Sequence, residues 1–177
     1  MGRALLLLAI GVSMTVVSVA GAIDGSALQK GKHGFWHLVM PSELTAALRD
    51  SVPAFRIAPD SAYGKALRGR YPYKEHAAPF ALIADLNGDT REDVVFDGSE
   101  GEDRVVYLAV SRARSWRFVE VRRLAGRAAA PRDSALFWAD PQPLFTLAAY
   151  PRTKLGTFYA WTGTELAVLV TSTKKPD

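Results

Sequence analysis

The stretch from Arg104 to Ser111 most narrows the folds open to this chain. It reads Arg-Val-Val-Tyr-Leu-Ala-Val-Ser. In a strand, successive side chains point to opposite faces. Val106, Leu108 and Val110 then share one face, and Val105, Tyr107 and Ala109 share the other. Both faces are apolar, so the strand belongs inside a sheet that is covered on each side. Trp116 to Val121 is its expected hairpin partner, because the Arg112-Ala113-Arg114 link is short.

Upstream the hydrophobic period is nearer 3.6. Ile23 to Gly34, with Gly25 and Gly31, reads as an open, extended lead-in, and Phe35 to Met40 as a first short strand. Pro41-Ser42-Glu43 opens a helix, with Ser42 as its cap and Glu43 in its first turn. Leu44, Ala47 and Leu48 fall on one helical face, and Pro53 closes the segment. Ala54 to Ala58 is a weak strand. Pro59-Asp60-Ser61 begins a second turn or helix, whose apolar face would be Ala62, Tyr63, Ala66 and Leu67, interrupted by Gly64 and Gly69.

From Pro79 the period is 2. Strands are expected at Phe80 to Ala84, Asp93 to Phe96, Leu136 to Ala139, Leu144 to Tyr150, Thr157 to Trp161 and Leu166 to Thr171. Thr162-Gly163-Thr164 is a turn between the last two. The expected fold class is α+β, with one or two N-terminal helices packed on one antiparallel sheet of about six or seven strands.

Residues 1–22 read as a cleavable export signal, the alternative being an uncleaved membrane anchor, since the uncharged run is just long enough to span a bilayer. Arg3 is the segment's charged start, the uncharged run follows from Ala4, and Ala20-Gly21-Ala22 has the small-x-small form of a peptidase site. Residues 23–177 then make a single globular domain, long enough for a core of its own. The sequence of 177 residues holds no cysteine, which excludes a disulfide framework, thiol chemistry and a lipid-modified cysteine. The net charge is +4, from 22 basic and 18 acidic residues. The basic residues are scattered, not drawn into one stripe, so no nucleic-acid partner is expected. The expected protein is a periplasmic or secreted monomer with no stable membrane insertion after cleavage. Any partner would be another envelope or extracellular protein.

One segment carries a chemical signal. In Phe80-Ala81-Leu82-Ile83-Ala84-Asp85-Leu86-Asn87-Gly88-Asp89-Thr90-Arg91-Glu92-Asp93, oxygen side chains fall at Asp85, Asn87, Asp89 and Asp93. Arg91 offers its carbonyl, its side chain pointing away. Alternating oxygens on a curled chain are what a calcium ion takes, and three crowded carboxylates repel one another unless a cation lies among them. The segment resembles the Asp-x-Asn-Gly-Asp-Gly-x-x-Asp calcium loop of FG-GAP and VCBS-type repeats and of dockerin-like single loops, here once in a small exported bacterial protein. The resemblance covers a motif and not a fold. It implies structural calcium held by Asp85, Asn87, Asp89, the Arg91 carbonyl and Asp93. Two departures stand out. Thr90 occupies the usual glycine position, and Phe96 occupies the place of an EF-hand's closing carboxylate. Asp97 is the next carboxylate along, either a substitute ligand or a turn residue beside Gly98. The alternative for the whole segment is a polar turn without metal.

No catalytic set rises beside this loop. His33 and His37 are four residues apart but flanked by Gly31 and Gly34, and His76 stands alone. No Gly-x-Ser-x-Gly elbow is present, Ser61 and Lys65 are one residue too far apart for a Ser-x-x-Lys pair, and the serine and lysines of the C-terminal tail lie in a segment too loose to hold a reacting geometry. Tyr71, Tyr73, Tyr159 and Trp161 either pack the core or line a recognition surface. The expected function is thus an exported, non-enzymatic calcium-binding or protein-interaction domain. Two alternatives are an envelope hydrolase, in which one of the histidines meets a carboxylate in a cleft, and a periplasmic inhibitor of a lysozyme-type hydrolase.

Overall fold

The computed structural model describes residues 25–128, 132–138, 144–149, 156–162 and 164–171. The export segment expected at 1–22, Gly163 and the polar tail from Ser172 lie outside the described residues. Among the described residues no helix is long and apolar enough to cross a membrane.

The protein is α+β and its strands pair antiparallel. It begins with a hairpin of β1 (Ala27–Lys30) and β2 (Trp36–Val39). The lead-in expected before Gly34 therefore contains a strand. Leu28 is its one fully buried apolar side chain, too little for periodicity to reveal. Helix α1 (Ser42–Ser51) buries Leu44 and Leu48, as the spacing predicts. Its cap differs from expectation: Pro41 stands at the N-cap with φ −55°, and Ser42 is the first helical residue, making no capping bond. The helix stops at Val52, whose N–H donates to the Leu48 carbonyl just before Pro53. Strand β3 (Phe55–Ile57), a 3₁₀ turn (Asp60–Ala62) and helix α2 (Lys65–Arg68) follow. Gly64 parts the turn from the helix, so Tyr63 and Leu67 are buried while Ala66 is exposed.

The main sheet holds β4 (Ala77–Ala78), β5 (Ala81–Ala84), β6 (Asp93–Glu100), β7 (Asp103–Arg112) and β8 (Ser115–Leu124) in that order. Strand β3 is its sixth member. It pairs with β6 at Gly98 to Glu100, beyond the stretch from Asp93 to Phe96 that β5 covers. The remaining strands, β9 (Ser134–Trp138), β10 (Phe145–Ala149), β11 (Gly156–Trp161) and β12 (Leu166–Thr171), form a separate four-stranded meander.

The expectation of one sheet of six or seven strands is thus corrected to three sheets of two, six and four strands. The reason lies in β7. Val105, Tyr107 and Ala109 face a core shared with Leu44, Leu48, Phe55 and Tyr63. Val106, Leu108 and Val110 face a second core shared with Leu136, Phe145, Tyr159 and Trp161. The short helices lie on the first side only. The C-terminal meander supplies the second cover, which strands extended into the same sheet would not provide.

Candidate functional site

The acidic loop connects β5 to β6, and its carboxylates are turned onto its own backbone. Asp85 Oδ1 accepts the N–H groups of Gly88 at 2.7 Å and Asp89 at 3.1 Å, while Oδ2 accepts that of Thr90 at 2.8 Å. Asn87 Oδ1 accepts the Asp89 N–H at 2.8 Å, and Asp89 Oδ1 accepts that of Arg91 at 2.9 Å. Asp93 closes the curl: Oδ2 accepts from Leu86 at 2.8 Å and Asn87 at 3.1 Å, and Oδ1 from Ser111 of β7 at 2.7 Å. The Asn87 amide donates to the Ser111 carbonyl at 3.1 Å. The Arg91 guanidinium points out of the loop, as expected, and donates to the Arg112 carbonyl at 3.0 Å. The curl is therefore tied to the end of β7.

Thr90 has φ +67°, the left-handed conformation that glycine takes without strain. Its side chain does not divert the loop from that conformation. Asp93 is fully buried, and burial pushes its carboxyl above the usual carboxylate range, against the hydrogen bonds from the Ser111 and Leu86 N–H groups and the Ser111 hydroxyl, which favour the charged form. Nearby Asp89 pushes the same way.

The donor set is all oxygen, which suits a hard cation. Asp85 Oδ2, Asn87 Oδ1 and Asp93 Oδ1 accept the single backbone bonds given above, leaving a lone pair on each. Among the described residues, however, no group of three or more His, Cys, Asp or Glu side chains gathers closely enough to hold a metal ion. The loop is shaped by amides, and its carboxylates do not share one centre. Asp97 takes no part. It lies within β6, fully buried, facing other partners.

Three of the hollows in the described surface border this loop. The largest, 610 Å³, runs from Pro41 and Glu43 at the start of α1 past Arg91 and Glu92 to Arg112, Arg114 and Trp116. Glu92 accepts the Ser26 N–H at 2.9 Å along its wall. A second hollow, of 340 Å³, lies between Asn87, Asp89 and Trp161. The third, of 380 Å³, brings His76 beside Asp85 and Glu92. This is the one place where a histidine and carboxylates share a described hollow, as the hydrolase alternative requires. No hydrogen bond or ion pair joins His76 to either acid, and both acids already hold backbone N–H groups. His33, His37 and His76 are all exposed.

Sequence reasoning missed a buried charge cluster. Asp97 accepts two bonds from Arg104, Nε at 3.0 Å and Nη2 at 2.6 Å, and a short one from the Tyr63 hydroxyl. Arg132 Nε stands 3.6 Å from the same carboxylate, while its Nη2 donates to the Gly98 carbonyl at 2.9 Å. Burial and the Asp97 charge push the Tyr63 phenol well above its ordinary value. The expected strand stops at Phe96, and Asp97 reads as a substitute ligand or a turn residue, so no local signal marks it as a buried acid. Among the aromatics offered for recognition, Tyr71, Tyr159 and Trp161 are buried in the cores. Tyr73 alone is half-buried, stacked on Trp36.

Compared with known proteins, the chain matches no family model, no curated protein and no solved structure.

Proposed function

We propose that this protein is an exported, non-enzymatic domain that binds calcium at the 85–93 loop and presents the surface around it to a protein partner. One observation carries the reading. Asp85 draws the N–H groups of Gly88, Asp89 and Thr90 onto a single carboxylate, with Thr90 left-handed. That curl keeps the oxygens of Asn87, Asp89 and Asp93 on a short arc of chain. Asp85, Asn87, Asp89, the Arg91 carbonyl and Asp93 would hold the ion, whose charge would relieve the repulsion among the three carboxylates. The ion's role is structural: it fixes the link between β5 and β6 and, through Ser111, the end of β7. The groove beside it is lined by Arg91, Arg112 and Arg114 against Glu43 and Glu92, and this surplus of cations suits a partner with acidic side chains.

Calorimetric titration of the full-length chain with calcium tests this. We expect saturable heat and a higher melting temperature, with stabilisation of about 2.7 kcal/mol at calcium one hundred times its dissociation constant. Magnesium should act more weakly, and Asp85→Ala should remove the effect. Absence of heat and of any melting shift in millimolar calcium, with Asp85→Ala indistinguishable from the wild type, would end the calcium reading.

A further inference from the structure

A fourth hollow, of 400 Å³, lies away from the acidic loop and is lined by Lys30, Trp36, Asp60, Lys65, Arg68 and Tyr73 among others. Chain segments far apart in sequence build it: the β1–β2 hairpin, the 3₁₀ turn, α2 and the stretch that ends at Tyr73. The rings of Trp36 and Tyr73 stack with centroids 5.2 Å apart and planes 9° from parallel. Asp60 is 3% exposed and fastens both residues. Its Oδ1 accepts the Tyr73 hydroxyl at 2.7 Å, and its Oδ2 accepts the Trp36 backbone N–H at 3.2 Å.

Two features of this hollow exceed what the fold uses. A buried carboxylate ordinarily has a cation partner, because burying its charge alone is costly. Asp60 has none among the described residues, although three cations line the same hollow. Each of its oxygens accepts one described bond and keeps a lone pair. Two of the three cations are idle. Lys30 and Lys65 are exposed and make no described side-chain bond or ion pair. Arg68 donates Nε to the Tyr63 carbonyl at 3.0 Å and lies over the exposed Phe35 ring at 5.0 Å, with no acid opposite. The hollow thus brings together a stacked aromatic pair, the buried acceptor that orders it and a positive rim.

The ligand that answers all three has an apolar face, hydroxyl donors and a negative charge. We propose that this hollow binds an acidic saccharide, a pyranose bearing a carboxylate. Its C–H face rests on the Trp36–Tyr73 pair, its hydroxyls donate to Asp60, and its carboxylate pairs with Lys30, Lys65 and Arg68. A nucleotide also combines a stacking face with negative charge, and the choice of a glycan over it rests on the export proposed above. The inference stands apart from the calcium reading, since no residue of the 85–93 loop lines the hollow.

The test is a titration of the full-length ¹⁵N-labelled chain with trigalacturonic acid, read at the indole N–H signal of Trp36, which is one of four tryptophans. We expect a saturable shift, at least about tenfold weaker binding of the neutral galactose trimer, and a similar loss in Lys30→Glu/Lys65→Glu. Both lysines are exposed and unpaired, so the double variant should melt with the wild type. An unmoved Trp36 signal at millimolar trisaccharide, unchanged affinity in the charge-reversed variant, or tighter binding of adenosine monophosphate than of the acid trimer would each overturn the assignment.

Discussion

At the scale of single residues, the acidic loop turns on Thr90. A β-branched residue at φ +67° is strained, because its Cβ crowds the backbone, by roughly 1–2 kcal/mol. Thr90 is exposed, so core packing does not offset the strain. What holds it is its own N–H bond to Asp85 and the two neighbouring bonds to the same carboxylate. Thr90→Gly should remove the strain while giving the unfolded chain more freedom, for a net gain of about 1 kcal/mol. Urea unfolding should show a higher midpoint at an unchanged slope. A lower midpoint would contradict the left-handed strain assigned to this position.

At the scale of elements, β6 is the strand that must accept most neighbours. It pairs with β7 along one side and with both β5 and β3 along the other. Gly98 marks where β3 closes in. A Cβ there would lie 2.3 Å from the Arg56 carbonyl oxygen and 2.4 Å from the Phe55 ring. Neither can retreat readily, since Arg56 is paired in the sheet and Phe55 is buried against Phe96 and Tyr107. Gly98→Ala should therefore destabilise by about 3 kcal/mol, at the upper end of overpacking effects. Gly126→Ala is the control. Its added Cβ meets nothing within 4 Å, and only its φ of +62° opposes the change, at about 1 kcal/mol. Equal losses in thermal melts of the two variants would contradict the close approach of β3.

At the scale of the whole molecule, one buried carboxylate joins the parts. Asp97 of β6 is bonded by Arg104 of β7 and by Tyr63 after the 3₁₀ turn. Arg104 reaches on to the Ser134 hydroxyl at 2.8 Å and its carbonyl at 2.9 Å, at the start of the second sheet. Removing the acid leaves Arg104 and Arg132 buried without the carboxylate that Arg104 bonds, and only the charge of exposed Asp133 still acts on Arg104. Asp97→Ala should cost about 3–5 kcal/mol, the usual result of breaking a buried pair from one side. Because the cluster touches both large sheets, the loss should appear as one cooperative transition at lower temperature. A loss below about 1 kcal/mol would show that the arginines remain solvated and the cluster is not closed.

Periodicity alone determined the double-faced β7, its hairpin with β8, the α1 face of Leu44 and Leu48, and the position of the acidic loop. Each is a local property: side-chain alternation and turn chemistry act within a few residues. Which elements cover which face was decided only by tertiary structure. An apolar stripe encodes the need for burial without naming the partner, so one sheet and three sheets are equally compatible with the pattern. The same limit hid Asp97 and Asp60. Arg104, Arg132 and Tyr63 converge on one acid, and Trp36 and Tyr73 on the other, only after the chain has folded back on itself. An isolated polar residue carries no period that would announce such a meeting.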